Sequence, residues 1–154
     1  MTETRRLFLS LAAALLIPLL AGCDGFPKDI AGTMQNVKER GVLHAGIVAD
    51  GPAEGEERAL AERVAQAAYV KAEFEIGSDE VLLRRLEDGD IDLVLGEFAK
   101  ASPWKKRVAF TAPAEAKSPS AHEPVLRAAV RPGENRWLMF VQKTLRQKTL
   151  RQKA

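Results

Sequence analysis

Two histidines, three closely spaced aspartates and one cysteine are the residues of this 154-residue chain with the most versatile chemistry. His44 falls in a predicted strand and His122 in a predicted loop, and no serine or cysteine stands at a spacing suggestive of a catalytic pair. The aspartates at positions 88, 90 and 92 alternate, but the first two flank Gly89, where a helix is expected to end. We interpret them as solvated turn residues and not as a metal loop. The sequence thus predicts no enzyme activity, no cofactor and no metal site.

Cys23, the only cysteine, closes an N-terminal segment with three parts. Arg5 and Arg6 give it a basic start, an apolar run follows over 7–20, and two small residues precede the cysteine. This layout is typical of a cleavable export signal, because the run is too short and wrongly flanked for a membrane-spanning helix. The four residues LAGC also resemble a lipobox, the bacterial motif whose cysteine is acylated before cleavage. A plain signal peptide is the alternative.

Cleavage before Cys23 would remove 22 residues and leave 132 of the 154, which is enough for one core and too few for two ordinary domains. The resemblance to a lipobox implies an extracytoplasmic protein held to a membrane by lipid, such as palmitate. Asp24, directly after the cysteine, resembles the inner-membrane retention signal of enteric lipoproteins and favours the periplasmic face of the inner membrane, while the outer membrane stays open. Export by the general or the twin-arginine route stays open. We divide the chain into a signal peptide (1–22), a lipidated tether (23–32), a lobe (33–145) and a basic tail (146–154).

Hydrophobic periodicity places strands and helices in alternation along the lobe. Strands are predicted over 42–48, 70–76, 91–95, 108–110 and 125–130, with a loop over 114–123. Helices are predicted over 33–40, capped by Thr33, over 56–68, from the Ser78 cap to Gly89, and from the Asn135 cap onward. The five residues TLRQK (144–148) are repeated over 149–153, and we interpret the second copy as a frayed tail. This order predicts an α/β fold, a single three-layer lobe with a mostly parallel sheet.

Polar and aromatic side chains follow several of these strands. In open parallel sheets, ligands bind beyond the carboxyl ends of the strands. That rule selects six candidate ligand-binding residues: Asp50, Ser78, Glu97, Phe98, Lys100 and Trp104. Simpler roles remain open for several, since a serine can only cap a helix, an aspartate can only form a turn, and a tryptophan can cover the edge of a core.

Four segments resemble the amino-acid-binding type of periplasmic solute-binding proteins, family 3, which have the type II periplasmic binding protein fold. They are VKERGVLHAG (37–46), LLRRLEDGDIDLVLG (82–96), VAFTAP (108–113) and AVRPGENRWLMFV (129–141). They stand in the family's order between Thr33 and Leu145. The resemblance implies a solute-binding protein associated with an ABC-type transporter for amino acids or other small polar solutes.

Three departures from the family's pattern accompany this resemblance. About a dozen residues replace the entire second lobe that the family places between Pro113 and Val125. The threonine and arginine that clamp a ligand carboxylate in the family fall at Ala101 and Trp104, and no aromatic follows the first strand. A single open lobe is therefore expected to bind a small solute weakly, at about millimolar affinity or about −4 kcal/mol.

Two further kinds of partner remain open from the sequence. The chain could have lost ligand binding and dock another envelope or transport protein, or two copies could pair their open faces as a homodimer. Residues 136–154 hold six Lys or Arg and no acid, which indicates a solvated helix face or an attraction to anionic lipid. Because the basic tail (146–154) has no interleaved aromatic residue, nucleic acid is not an expected partner.

Overall fold

A computed structural model describes residues 28–49, 54–115 and 119–151, so the signal peptide, Cys23 and Asp50 lie outside the described residues. The elements are α1 (Thr33–Arg40), β1 (Val42–Val48), α2 (Glu54–Ala68), β2 (Lys71–Gly77), α3 (Asp79–Asp88), β3 (Leu93–Ala99), a short 3₁₀ helix (Pro103–Lys106), β4 (Ala109–Phe110), β5 (Pro124–Val130) and α4 (Asn135–Arg151). Strands and helices alternate as the periodicity predicts.

One five-stranded sheet has the order β2-β1-β3-β5-β4. β1 pairs in parallel with β2 and with β3, whereas β5 runs antiparallel to both β3 and β4. Four strands therefore point the same way and β5 alone is reversed. This confirms the predicted α/β class and the mostly parallel sheet.

Helices cover both faces of the sheet, each over its own apolar cluster. On one face α1, α2 and α4 bury a cluster that includes Val37, Leu60, Val64, Trp137 and Val141. On the other face, α3 buries a smaller cluster, named here the α3-side core: Leu82, Leu83, Leu86, Ile91, Val94, Phe98, Val108 and Ala129. The lobe has the three predicted layers, helix, sheet and helix.

Two carboxylates join the residues before α1 to the start of α4. Glu134 accepts hydrogen bonds from the backbone N–H groups of Ala31 at 2.6 Å and Thr33 at 2.7 Å. Asp29 accepts from the N–H of Trp137 at 2.8 Å and of Met34 at 3.3 Å. The first turns of both helices thus receive their acceptors from side chains distant in sequence. Thr33 is the first residue of α1, and Gly32 holds the cap position without a side-chain bond, so the predicted Thr33 cap is wrong.

Asp92 connects three elements just before β3. Its carboxylate accepts from the N–H of His44 at 2.9 Å and forms an ion pair with Arg40. Its backbone carbonyl accepts from the Trp137 indole N–H at 2.9 Å. With a side chain only 6% exposed, Asp92 fixes β3 against α1, β1 and α4, and the expectation that it is a solvated turn residue is wrong.

β3 and α4 both extend beyond their predicted limits. β3 continues to Ala99 because β5 supplies backbone partners opposite Glu97, Phe98 and Ala99, and those partners lie far away in sequence. α4 continues to Arg151, so part of the second TLRQK copy is helical where a frayed tail was expected.

Glu134 predicts an acid-sensitive contribution to stability. Burial raises the pKa of its carboxyl, but the N–H groups of Ala31 and Thr33 and the nearby Arg131 outweigh burial and hold that pKa below its ordinary value of 4.5. A group whose pKa is lower in the folded state stabilises fully above the unfolded-state value. This contribution is lost as pH falls below 4.5 through the folded-state pKa.

We expect Glu134→Gln to lower the free energy of unfolding at pH 7 by about 1–3 kcal/mol, because one buried N–H loses its acceptor. We also expect its stability to fall less steeply with acid than that of the wild type. Urea unfolding at pH 7 and at several values below pH 4.5 measures both. Glu62→Gln, at an exposed position of α2, is the control. Equal loss in both variants would contradict the assignment.

Candidate functional site

The parallel strands bring their carboxyl ends to one edge of the sheet, named here the strand-end edge. β1 ends at Val48, β2 at Gly77 and β3 at Ala99. The N–H of Ala49 donates to the carbonyl of Gly77 at 2.8 Å, which holds the first two ends together. Asp50 follows this point and lies outside the described residues, so its role stays a prediction.

The surface of β3 near this edge is closely packed. A Cβ placed on Gly96 would lie 2.6 Å from Cγ2 of Val48 and 3.0 Å from the Phe98 ring. Val48 and Phe98 therefore occupy the space a larger residue would need, and glycine lets them close over the strand. These two side chains therefore cover the α3 face of the sheet at Gly96.

Ser78 lies exposed at the strand-end edge, at the cap position of α3. Its backbone has the extended conformation of a cap residue, with φ −68° and ψ 152°, but its side chain makes no capping hydrogen bond. The hydroxyl is thus accessible to solvent, and the helix start is instead favoured by Asp79 and Glu80 in its first turn.

Glu97 and Phe98 were predicted to follow β3, and the structure places both inside it. Successive side chains of a strand point to opposite faces. Glu97 is exposed on one face, whereas Phe98 is 5% exposed in the α3-side core with its ring centroid 5.0 Å from that of Phe110. Glu97 remains available to a ligand, and Phe98 offers it almost no surface.

Lys100 and Trp104 lie beyond the end of β3. Lys100 is exposed, whereas Trp104 is half-buried in the short 3₁₀ helix and packs against the α3-side core. Ser102 caps that helix by accepting from the N–H of Trp104 at 3.3 Å, and the Arg107 guanidinium lies 5.0 Å from the Trp104 ring centroid. The tryptophan thus covers the core edge and keeps part of its surface exposed.

A small acidic cleft opens beside Glu97. It has a volume of about 160 Å³ and is lined by Glu56, Glu97, Pro113, Glu115, Glu123, Pro124, Val125 and Leu126. Four of these eight residues are glutamates, and one of them, Glu123, also accepts from the N–H of Ser120 at 3.2 Å. The cleft is negatively charged and is too small to enclose most ligands.

A larger basic cleft lies beside β4. Its volume is about 610 Å³, within the usual range for small-molecule sites. The lining residues are Lys100, Lys105, Val108, Ala109, Phe110, Thr111, Ala112, Pro113, Pro119 and Arg127. None of these described residues is acidic, so the cleft is positively charged.

Arg127 is the buried charge of the basic cleft, 6% exposed on β5. Desolvation lowers the pKa of its guanidinium from the ordinary value, yet arginine stays protonated at neutral pH. Its Nε has no hydrogen-bond partner among the described residues. The sequence reasoning missed this residue, although a signal was present: Arg127 is the one charged residue in the otherwise apolar run 125–130.

No cluster of three or more His, Cys, Asp or Glu side chains could hold a metal ion within residues 28–49, 54–115 and 119–151. No helix in the same ranges is long and apolar enough to cross a membrane.

The sequence matches no protein-family model and no curated protein. Solved structures do match, at identities of 11–24%, and the likeness therefore concerns the fold. The arginine-bound form of domain 1 of TmArgBP aligns with a TM-score of 0.64 and 24% identity, over 73% of this chain and 97% of that one. Its Phe57Trp mutant, also arginine-bound, aligns with a TM-score of 0.65 over 75% of this chain and 97% of that one. TmArgBP is ArgBP from T. maritima.

A second protein of known structure has the same fold. An amino acid ABC transporter substrate-binding protein from Streptococcus pneumoniae, bound to L-arginine, aligns with a TM-score of 0.63 and 11% identity, over 75% of this chain and 91% of that one. The structural neighbours are amino-acid-binding proteins. The chain has the fold of one lobe of the type II periplasmic binding protein, as its four family-like segments predicted.

Single substitutions should separate the core residue from the surface candidates. We expect Phe98→Ala to lower the free energy of unfolding by about 3–5 kcal/mol, because it empties a buried site. Glu97→Ala and Lys100→Ala should change it by about 0.5 kcal/mol or less, since both side chains are exposed. Urea unfolding followed by far-UV circular dichroism measures all three. A small effect of Phe98→Ala would contradict its placement in the core.

Proposed function

We propose that this chain is a single-lobed, lipid-anchored, extracytoplasmic solute-binding module for an amino acid or another small polar solute. The observation that carries the proposal is the likeness to the arginine-bound form of domain 1 of TmArgBP, which is a single domain. One lobe of this fold can thus hold an amino acid without a second lobe closing over it. The accessible candidates at the strand-end edge are Ser78, Glu97, Lys100 and Trp104.

An open lobe limits how strongly a solute can bind. Two-lobed proteins close around the ligand and exclude water from its charged groups. On an open surface each ion pair contributes only about 0–1 kcal/mol. This argument supports weak binding, near millimolar, and a role in which the solute is presented at the membrane surface to an ABC-type transporter.

Lipid on Cys23 would hold the module at the membrane. The docking of Asp29 onto α1 and α4 supports this geometry, because it leaves only the short stretch 24–28 between the lipidated residue and the body of the lobe. Such a tether keeps the lobe close to the membrane, on the periplasmic face of the inner membrane.

Ligand-dependent unfolding tests solute binding. With a soluble form beginning at Asp24, we expect an amino acid, amine or organic acid at ten times its Kd to add about 1.4 kcal/mol to the free energy of unfolding. The midpoint of thermal unfolding should then rise by a few degrees. Glu97→Ala and Trp104→Ala should each reduce this rise, while the exposed Glu62→Ala should not.

Absence of stabilisation at tens of millimolar of every such compound would contradict the proposal. It would favour the alternative, an interaction module that docks another envelope protein. Sedimentation of the same soluble form, with and without ligand, distinguishes a monomer from two copies that pair their open faces.

Metabolic labelling tests the anchor. Cells fed radiolabelled palmitate should transfer label to the wild-type chain, and the protein should sediment with membranes. Cys23→Ala should carry no label, because the thiol that forms the thioether and the new N-terminus are both lost. Label retained in Cys23→Ala, or absent from the wild type, would exclude lipidation at this residue.

A further inference from the structure

Arg127 occupies a position in which a positive charge is buried without a negative partner. It is 6% exposed, and no carboxylate lies within ion-pair distance of it among the described residues. Arg40, Arg85 and Arg107 are each paired with a carboxylate. Arg63 and Arg131 also have buried nitrogen atoms without a hydrogen-bond partner among the described residues, but neither lines the basic cleft. Burying an unpaired charge is expensive unless something compensates for it. The basic cleft, which Arg127 lines, is the place from which an anion could approach.

We propose that the basic cleft is a binding site for a small anion, in which Arg127 receives a carboxylate or phosphate group and Lys100 and Lys105 attract it from the rim. This inference rests on the proposed function for its choice of the strand-end edge as the binding face. It goes further by assigning a specific cleft, a buried anchor residue and a chemical class of ligand.

The arrangement of the cleft suits such a ligand. A guanidinium presents parallel N–H donors that match the two oxygens of a carboxylate or phosphate. Both lysines are exposed and have no ion-pair partner among the described residues, so their charge adds to the field at the mouth of the cleft. The residues from Val108 to Pro113 also line the cleft, and most of them are apolar, so they can pack against the rest of the ligand.

Burial makes the contact with Arg127 stronger than an ordinary surface ion pair. The guanidinium has already lost most of its water in the free protein, so an incoming anion does not have to displace a full hydration shell from it. Hydrogen bonds between charged groups in such a setting are stronger than exposed ones. Arg127 therefore provides most of the affinity, and the two lysines provide attraction and selectivity for negative charge.

Titration with simple anions tests the site. The full-length chain, purified in mild detergent, is titrated calorimetrically with succinate and separately with inorganic phosphate, at constant ionic strength set with chloride. We expect at least one of the two to bind, and the tighter one identifies the preferred group. Arg127→Met should weaken that binding about tenfold or more. Arg136→Met, at an exposed position of α4 that does not line the cleft, should leave it unchanged.

Two further measurements separate a binding role from a structural one. In buffer without succinate or phosphate, Arg127→Met should unfold at the same temperature as the wild type or higher, because methionine fills the space without a buried charge. The double variant Lys100→Met/Lys105→Met changes only exposed residues, and it should weaken anion binding about three- to tenfold. If Arg127→Met fails to fold, the lysine double variant alone decides the question.

The outcomes separate this inference from the proposed function. Anion binding that depends on Arg127 or the lysine pair, without binding of any amino acid, would support the anion site and remove amino-acid binding. Amino-acid binding that persists in Arg127→Met, with no binding of either anion to the wild type, would keep the proposed function and remove the anion site. If neither anion binds, or if the variants bind as the wild type does, the anion site is overturned.

Discussion

Antiparallel pairing of β5 with β3 and β4 is the constraint on which the rest of this lobe depends. It lengthens β3 to Ala99, because residues opposite β5 gain backbone partners that β1 does not supply. It also fixes β4, a strand of only two residues that pairs with β5. Finally, it directs the chain into α4, whose Trp137 packs at the centre of the larger apolar cluster. The antiparallel strand β5 thus connects the sheet to its last helix, α4.

The same strand explains how a short connection joins β4 to the rest of the sheet. The chain leaves β4 after Phe110 and re-enters the sheet at Pro124, so the loop between them spans neighbouring strands. The N–H of Ala114 donates to the carbonyl of Leu126 at 2.8 Å, and the N–H of Ala101 donates to the carbonyl of Ala121 at 2.8 Å. These bonds hold the described parts of the loop against β5 and the segment after β3. The strand-end edge is consequently bordered by two clefts of opposite charge.

Local sequence patterns predicted most elements of the fold, and long-range contacts explain where they failed. α1 and β1 have their predicted limits, since glycine at position 41, with φ 73°, ends the helix and an apolar run forms the strand. Phe98 was misplaced because the length of β3 depends on β5, which lies about thirty residues later. The buried role of Asp92 depends on Arg40 and His44, and no local signal in the sequence reports such a contact. Arg127 carried a signal, a charge inside an apolar run, but its significance required the cleft to be visible.

A single lobe and a two-lobed protein face the same physical problem, which is to remove water from the ligand's charged group. A second lobe solves it by closing after the ligand arrives. In this chain the Arg127 side chain is largely removed from water before any ligand is present, and its Nε is buried without a partner among the described residues. The free protein bears the cost of that dehydration as a loss of stability, which the larger apolar cluster and the Asp92 and Glu134 contacts offset. A buried charge that is present before the ligand arrives therefore lets an open lobe bind an anion without a conformational change. That charge, Arg127, lies on β5, the antiparallel strand that also organises the sheet.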